Sequence, residues 1–239
     1  MAIVGFGVTE FQLVLLRRMA DFNPGLVEDA VRELGETRST MREANRRWQA
    51  MVRSATFPRG PGRYTEVLGP PERSLRRQVG DVACTARQWA LPLWPDLRFE
   101  IMTAPGGGAV WNEWLVRAPD VPAPVLRCAT DLRPWTCVVA DVGVSFPDAR
   151  PREGSAPTRL QLDFTAPETP PGAPDAPAPD APAGGAPVSG APGAGAPASG
   201  EPRSWTADFT WGLLQELRPR RTPGPGLDPS TGFSPRPAP

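Results

Sequence analysis

Two short stretches of the chain share one apolar pattern and decide how its C-terminal half folds. Residues 160–165 read LQLDFT, and residues 205–210 read WTADFT. In both stretches apolar side chains hold the first, third and fifth positions, and polar side chains alternate with them. A period of two is typical of a strand that buries one face, so the pattern predicts two strands of one sheet.

The chain between these stretches, residues 167–203, consists mainly of Ala-Pro-Asp and Gly-Ala-Pro repeats without an aromatic residue. Such a composition buries too little apolar surface to offset the entropy of ordering the chain, which predicts a disordered segment. Closing a long flexible loop costs only about 0.6 kcal/mol per doubling of its length. We therefore expect residues 167–203 to be a disordered insertion within the sheet. Residues 219–239 are also rich in proline and are expected to form a disordered tail.

Residues after the insertion have two interpretations. If residues 204–217 join the sheet, they belong to the core, with a short amphipathic helix formed by Phe209, Leu213, Leu214 and Leu217. Otherwise they form a tethered docking motif that displays Trp205, Phe209, Trp211 and Leu214 to a partner.

The first third of the chain has helical spacing of its apolar residues and predicts about four helices between residues 8 and 91. The first helix has Phe11, Leu15 and Met19 on one face, and the second starts at Pro24 with Asn23 as its N-cap. A third helix is expected from near Thr40. The fourth is expected after Pro70-Pro71. The apolar positions of the third helix are Met41, Ala44, Trp48, Met51 and Ala55, and those of the fourth are Leu75, Val79, Val82, Ala86 and Trp89.

The spacing in the third and fourth predicted helices alternates steps of three and four residues, as in a narrow coiled-coil seam. A Pro/Gly-rich loop joins them, which favours an antiparallel helical hairpin packed within the chain. The alternative is that the seams pair with those of another chain, which would make the protein an oligomer.

From Leu97 the apolar period changes to two. One predicted hairpin comprises residues 97–103 and 109–117 around a triple glycine. A second comprises residues 125–130 and 135–146, which would place Cys128 opposite Cys137. The prediction is an α+β fold: a helical region at 1–92, and a mainly antiparallel β body at 93–166 plus 204–218.

The chain has no His and no Lys, and all 26 basic residues are Arg. This excludes imidazole catalysis, Schiff-base lysines and the P-loop lysine. The remaining candidates for catalysis are carboxylates on the expected strands, namely Glu100, Glu113, Asp141 and Asp163, whose spacing matches no motif. The sequence predicts a protein that is not an enzyme and that has no cofactor and no metal site.

Three cysteines, Cys84, Cys128 and Cys137, show no paired framework and favour reduced thiols in a cytoplasmic protein. The start of the chain predicts neither a signal peptide nor a membrane span. The scarcity of Lys, Ile and Asn is typical of a GC-rich bacterial or phage genome.

Charge is uneven although the net charge is zero: residues 38–87 carry 11 Arg and 4 acidic residues. The predicted partner-binding residues are therefore arginines of this segment together with two of the eight tryptophans, the side chains that most often anchor interfaces. They are Arg38, Arg42, Arg46, Arg53, Arg59, Arg63, Arg76, Arg77, Trp111 and Trp211.

These features favour a cytosolic interaction or assembly protein that binds another protein through the Arg-rich helical hairpin and an exposed tryptophan. The alternative is an Arg-dependent nucleic-acid-binding protein, because guanidinium groups also bind phosphates. A carboxylate enzyme of unknown substrate is the third interpretation.

Overall fold

The computed structural model describes residues 5–152, 156, 158–170 and 201–220, and within them the chain has an α+β fold with two four-stranded antiparallel sheets. Four helices come first: α1 (Val8–Met19), α2 (Pro24–Glu33), α3 (Arg38–Arg53) and α4 (Gly62–Leu68). The first sheet, sheet A, contains β1 (Arg73–Val79), β2 (Val82–Ala90), β3 (Leu97–Thr103) and β4 (Val110–Arg117). Helix α5 (Val139–Ser145) follows, and sheet B contains β5 (Arg150–Arg152), β6 (Arg159–Pro167), β7 (Pro202–Thr210) and β8 (Leu213–Pro219). The predicted fold class is confirmed.

Helix α1 forms the centre of the first core. It begins where the Glu10 carboxylate accepts the Gly7 N–H at 2.8 Å, and its Leu15, Leu16 and Met19 have no exposed surface. It packs against α2, α3 and α4, and Phe11 contacts Phe99 of β3 with ring centres 4.9 Å apart. The helices therefore cover one face of sheet A.

Tyr64 of α4 lies inside this aromatic core. Its ring is within about 6 Å of Phe11, Trp48 and Phe99. Burial raises the pKa of the Tyr64 hydroxyl well above its usual range, and the negative charge of the nearby Glu113 raises it further. The hydroxyl is therefore a donor that stays protonated.

Residues 73–90 form a hairpin of two strands, so the prediction of a fourth helix and a helical hairpin there is wrong. β1 pairs with β2 from Arg73 opposite Gln88 to Val79 opposite Val82, and sheet A thus begins before the predicted boundary at residue 93. Gly80 and Asp81 form the two-residue turn, with Gly80 at φ 57°. A Gly-Asp pair between apolar residues favours a hairpin turn, and it interrupts the helical spacing at its centre.

The predicted hairpin at residues 97–117 is confirmed. β3 and β4 pair along their length, with Phe99 opposite Leu115, and a bulge interrupts the register next to Thr103. The glycines at 106 and 107 have positive φ and form the turn.

The pairing predicted from the two six-residue stretches is also confirmed. In sheet B, β6 and β7 are antiparallel neighbours, and their apolar residues face each other: Leu160 opposite Phe209, Leu162 opposite Ala207, and Phe164 opposite Trp205. These side chains form a second core with Val142 and Phe146 of the α5 region. Residues 204–210 thus belong to the folded body.

The predicted helix at residues 209–217 is wrong, since β8 occupies residues 213–219. Trp211 and Gly212 both have positive φ, 52° and 76°, and turn the chain directly from β7 into β8. Leu213 and Leu214 are fully buried, on opposite sides of the strand. Neighbouring residues on opposite faces suit a strand that is covered on both sides.

The predicted hairpin at residues 125–146 is wrong as well. The chain there forms a short 3-10 turn at Ala129–Asp131 and helix α5. Pro124 directly precedes the segment and Pro134 lies within it, and a proline cannot donate to a ladder. Helix α5 begins after Val138, where the Asp141 carboxylate accepts the Val138 N–H at 2.9 Å and so caps the helix. Cys128 and Cys137 are both buried and free, and they do not face each other across a hairpin.

The insertion and the tail are reached at the ends of described strands. β6 ends and β7 begins at neighbouring positions, with Pro167 opposite Pro202. Residues 171–200 and 221–239, to which most of the predicted disorder applies, lie outside the described residues. Among the described helices, none is long and apolar enough to span a membrane.

Replacing residues 171–200 by a short Gly/Ser turn should leave the melting temperature unchanged or slightly higher, because the strands it joins already end side by side. Phe209→Ala, which empties a buried position, should lower the free energy of unfolding by about 3–5 kcal/mol. Thermal and urea unfolding of both variants measure the melting temperature and the free energy of unfolding. If replacing residues 171–200 lowers the free energy of unfolding as much as Phe209→Ala does, the insertion contributes to the folded body and the prediction is wrong.

The stability of the protein should fall at alkaline pH. Burial, with the nearby Asp141 carboxylate, raises the pKa of the Cys137 thiol to about 12. A thiol in the unfolded chain has a pKa of about 8.5. Between these values the unfolded state releases a proton that the folded state keeps, so the free energy of unfolding decreases as pH rises.

Urea unfolding at about pH 8 and at about pH 10.5 tests this linkage. Cys137→Ala should show a smaller decrease between the two pH values than the unchanged protein. Val142→Ala is the matched control, since it removes buried apolar surface nearby but no titratable group. Equal pH dependence in all three proteins would contradict the assigned role of the thiol.

Candidate interaction surface

The structure divides the predicted arginines between two different surfaces. Arg38, Arg42, Arg46 and Arg53 lie on α3, whereas Arg76 and Arg77 lie on the strand β1. The two groups were expected on facing helices of one hairpin. With a strand in place of the fourth helix, that hairpin face does not exist, and each group must be considered separately.

The α3 arginines form one exposed stripe, as the sequence predicts. Met41, Ala44 and Trp48 turn toward the core, and Trp48 packs edge-on against Phe11 with ring centres 5.5 Å apart. All four arginines are exposed on the side away from these residues. The helix begins at Arg38 rather than near Thr40, because Thr37 and Thr40 cap it reciprocally, with the Thr40 N–H donating to Thr37 Oγ1 at 3.1 Å.

Ion pairing distinguishes members of this stripe. Arg38 pairs with Glu28 of α2, and Arg46 pairs with Glu43 one turn before it. Arg42 and Arg53 form no ion pair with any residue in the described part of the chain. These two guanidinium groups therefore carry charge that the described residues do not neutralise.

A cleft of about 210 Å³ opens where α1 ends and α2 and α3 begin. Its polar side is formed by Arg17, Arg38 and Arg42, and its apolar side includes Val27 and Met41. Arg17 is held by Asp21 at 3.2 Å and Arg38 by Glu28, so Arg42 is the guanidinium of the three without an ion-pair partner among the described residues. The cleft combines positive charge with an apolar floor.

Arg59 and Arg63 lie in and after the loop that leads to α4. Arg59 is exposed, whereas Arg63 donates its Nε–H to the Gly60 carbonyl at 3.2 Å and lies 5.7 Å from the centre of the Tyr64 ring. Arg63 therefore holds the loop and covers the aromatic core. Its position does not extend the α3 stripe.

Arg76 and Arg77 are neighbours on β1 and so lie on opposite faces of sheet A. On the face of sheet A opposite the helices, Arg77 donates to the Glu100 carboxylate at 3.2 Å, and Gln88 donates to the same oxygen at 2.6 Å. Glu100 is 8% exposed, so these two donors satisfy a nearly buried charge. Arg76 is exposed and forms no ion pair within the described residues.

The two predicted tryptophans have opposite environments. Trp111 of β4 is 52% exposed, as a partner-binding residue requires. Trp211 is 6% exposed and packs against Phe99 with ring centres 6.5 Å apart. The structure therefore corrects the assignment of Trp211 to the surface: it belongs to the first core.

The acidic residues considered for catalysis lie in separate environments, each with its own partner. Glu100 is held by Arg77 and Gln88, Asp141 by Arg117 at 2.6 Å, and Asp163 accepts the Thr206 hydroxyl at 2.6 Å. Glu113 lies near the Tyr64 hydroxyl, whose pKa its charge raises. Within the described residues, no group of three or more Cys, Asp or Glu side chains is placed to hold a metal ion.

Comparison with known proteins gives no assignment. No protein-family model and no curated protein matches the chain. A solved structure that matches is described as a "putative beta-lactamase inhibitor protein" from Streptococcus mutans, with 8% sequence identity over 71% of this chain and 86% of that one. Its TM-score is 0.24, which is too low to support an inference about fold or function.

Proposed function

We propose that this is a cytosolic, non-enzymatic interaction or assembly protein that binds an acidic surface of another protein through the exposed stripe of α3. Arg42 and Arg53 carry the proposal, since both are exposed and neither forms an ion pair within the described residues. Exposed guanidinium groups without local partners bind carboxylates bidentately at little cost in desolvation.

The cleft beside Arg42 favours a protein partner over a nucleic acid. Val27 and Met41 give it an apolar floor next to the charge. Protein interfaces combine apolar contact with arginine in this way, whereas a phosphate backbone offers charge with little apolar surface. The chain as a whole has zero net charge, which also favours a local contact over general attraction to nucleic acid.

The chemistry of the described residues supports binding rather than catalysis. The carboxylates that remain as candidates lie in separate environments, Glu100, Asp141 and Asp163 are each held by a different partner, and the chain has neither His nor Lys. The three cysteines are free and buried, which supports a reducing compartment.

Arg42→Glu and Arg53→Glu should each weaken binding to a fluorescent poly-L-glutamate probe, by about fivefold, because each reversal removes one attraction of about 1 kcal/mol or less and adds a repulsion. Fluorescence anisotropy at low and physiological salt measures the affinity. Both positions are exposed, so the melting temperature should stay unchanged.

Arg133→Glu is the matched control, because Arg133 is an exposed arginine in the loop before Pro134, outside α3. It changes the net charge equally and should leave the affinity nearly unchanged. An equal loss with Arg133→Glu would contradict a local surface on α3. Tighter binding to a single-stranded DNA oligonucleotide than to poly-L-glutamate would favour the nucleic-acid alternative.

A further inference from the structure

Strand edges offer unpaired backbone groups, and the two sheets have four edges. At β4 the Leu115 N–H donates to the Trp211 carbonyl at 2.6 Å, and a bulge distorts the other end of the strand. At β8 the chain from Trp135 to Val139 covers the start of the strand, with the Leu214 N–H donating to the Cys137 carbonyl at 3.0 Å. β5 is three residues long and has Pro151 at its centre. These three edges are covered, bent or interrupted.

The fourth edge, β1, is open in the described part of the chain. β1 pairs with β2 in unbroken register over seven residues, and no other described element shares a backbone hydrogen bond with Arg73–Val79. Six of its seven residues are exposed, and Leu75 is half-buried. The strand has neither a proline nor a bulge. In an antiparallel pair, alternate residues point their N–H and C=O groups away from the partner strand, so β1 presents a regular row of free donors and acceptors.

The side chains of β1 determine which strand can pair there. Arg73 and Arg76 form no ion pair with described residues, and they lie on opposite faces of the sheet. Arg77 lies on the same face as Arg73, and its charge is shared with Glu100. Arginines at an edge deter a basic strand, because like charges opposite each other are destabilising, but they attract acidic residues at the facing positions.

We propose that β1 is a strand-docking site that adds an extended acidic segment of another protein to sheet A as a fifth strand. The backbone of β1 supplies the hydrogen bonds, and Arg73 and Arg76 select acidic residues on both faces of the incoming strand. Leu75 offers an apolar contact on the same face as Arg73. A second copy of the chain is disfavoured as the occupant, because β1 pairing with itself brings arginines together.

This site is separate from α3, so the proposal does not depend on the function proposed above. Its probe is a synthetic peptide, Val-Thr-Glu-Glu-Val-Thr-Glu, which in antiparallel register places glutamates opposite Arg77, Arg76 and Arg73. Hydrogen exchange of the full-length protein, followed by mass spectrometry or NMR, reports protection of individual backbone amides. Saturating peptide should slow exchange within Arg73–Val79 by at least tenfold.

Two N-methylated forms of the peptide separate strand addition from simple charge attraction. Methyl groups on alternate amides that face β1 remove the inter-strand hydrogen bonds and should abolish binding. Methyl groups on the other alternate amides should leave it intact, although both peptides carry the same charge. Equal binding of the two forms, or no protection of β1 by the unmodified peptide, would overturn the proposal.

Variants of the protein test the selection by charge. Arg73→Glu together with Arg76→Glu should weaken the acidic peptide at least tenfold and admit the peptide in which arginines replace the glutamates. Arg133→Glu, in the loop before Pro134 and on neither α3 nor β1, is the control and should leave both affinities unchanged. If Arg133→Glu weakens the peptide as much as the β1 variant does, the peptide binds by general charge and the β1 site is rejected.

Discussion

The arrangement of the two sheets depends on the contacts that the turn at Trp211 and Gly212 makes with sheet A. The Trp211 ring packs on Phe99 in the first core, its carbonyl accepts the Leu115 N–H at 2.6 Å, and Leu214, three residues on, lies in the second core. Glycine is required at position 212, since a Cβ there would lie 2.8 Å from the Leu115 carbonyl oxygen. The close approach joins the edge of sheet A to the start of β8 and makes one folded body of the two cores.

The same region fixes the helices relative to sheet B. Asn23 precedes α2 as its N-cap, yet its side chain does not cap the helix; its amide donates to the backbone carbonyl of Gln215 in β8 at 2.8 Å. Arg159 of β6 pairs with Asp21 at 2.7 Å. The bend between α1 and α2 is thus held from sheet B. That bend forms one wall of the cleft at Arg42, so the geometry of the proposed binding surface depends on strands that follow 138 and 192 residues later in the chain.

The predictable parts of the structure are those in which local pattern and long-range pairing agree. Alternation over six residues identified the partners β6 and β7, because a strand with one buried face has a period of two whatever its neighbour is. The spacing in β1 and β2 was misleading, since Leu75, Val79, Val82, Ala86 and Trp89 fit a helix as well as a hairpin. The Gly80-Asp81 turn was the signal that separated the two. Residues 125–146 are set by tertiary contacts, above all by Arg117 holding Asp141, and no local pattern reveals such a pair.

The candidate interaction surface also has one part that local pattern predicts and another that depends on long-range topology. Exposure of the α3 arginines could be predicted from helical periodicity, whereas burial of Trp211 and the edge position of β1 depend on topology that periodicity does not contain. Because Arg is the chain's only basic side chain, it serves both the interior and the surface. Arg117 and Arg218 each hold a nearly buried carboxylate, Asp141 and Asp208. Removing Arg117, which is itself largely buried, leaves the Asp141 charge without its ion pair, at a cost of about 3–5 kcal/mol.

Those arginines are therefore committed to the fold, and a partner cannot recruit them without destabilising the protein. The arginines that form no ion pair within the described residues include Arg42 and Arg53 on α3 and Arg73 and Arg76 on β1. Each can accept an external carboxylate while every buried pair stays intact. An acidic partner can bind at these two surfaces for an energetic reason: there the new ion pair replaces water, whereas at Arg117 or Arg218 it would have to replace an existing internal ion pair.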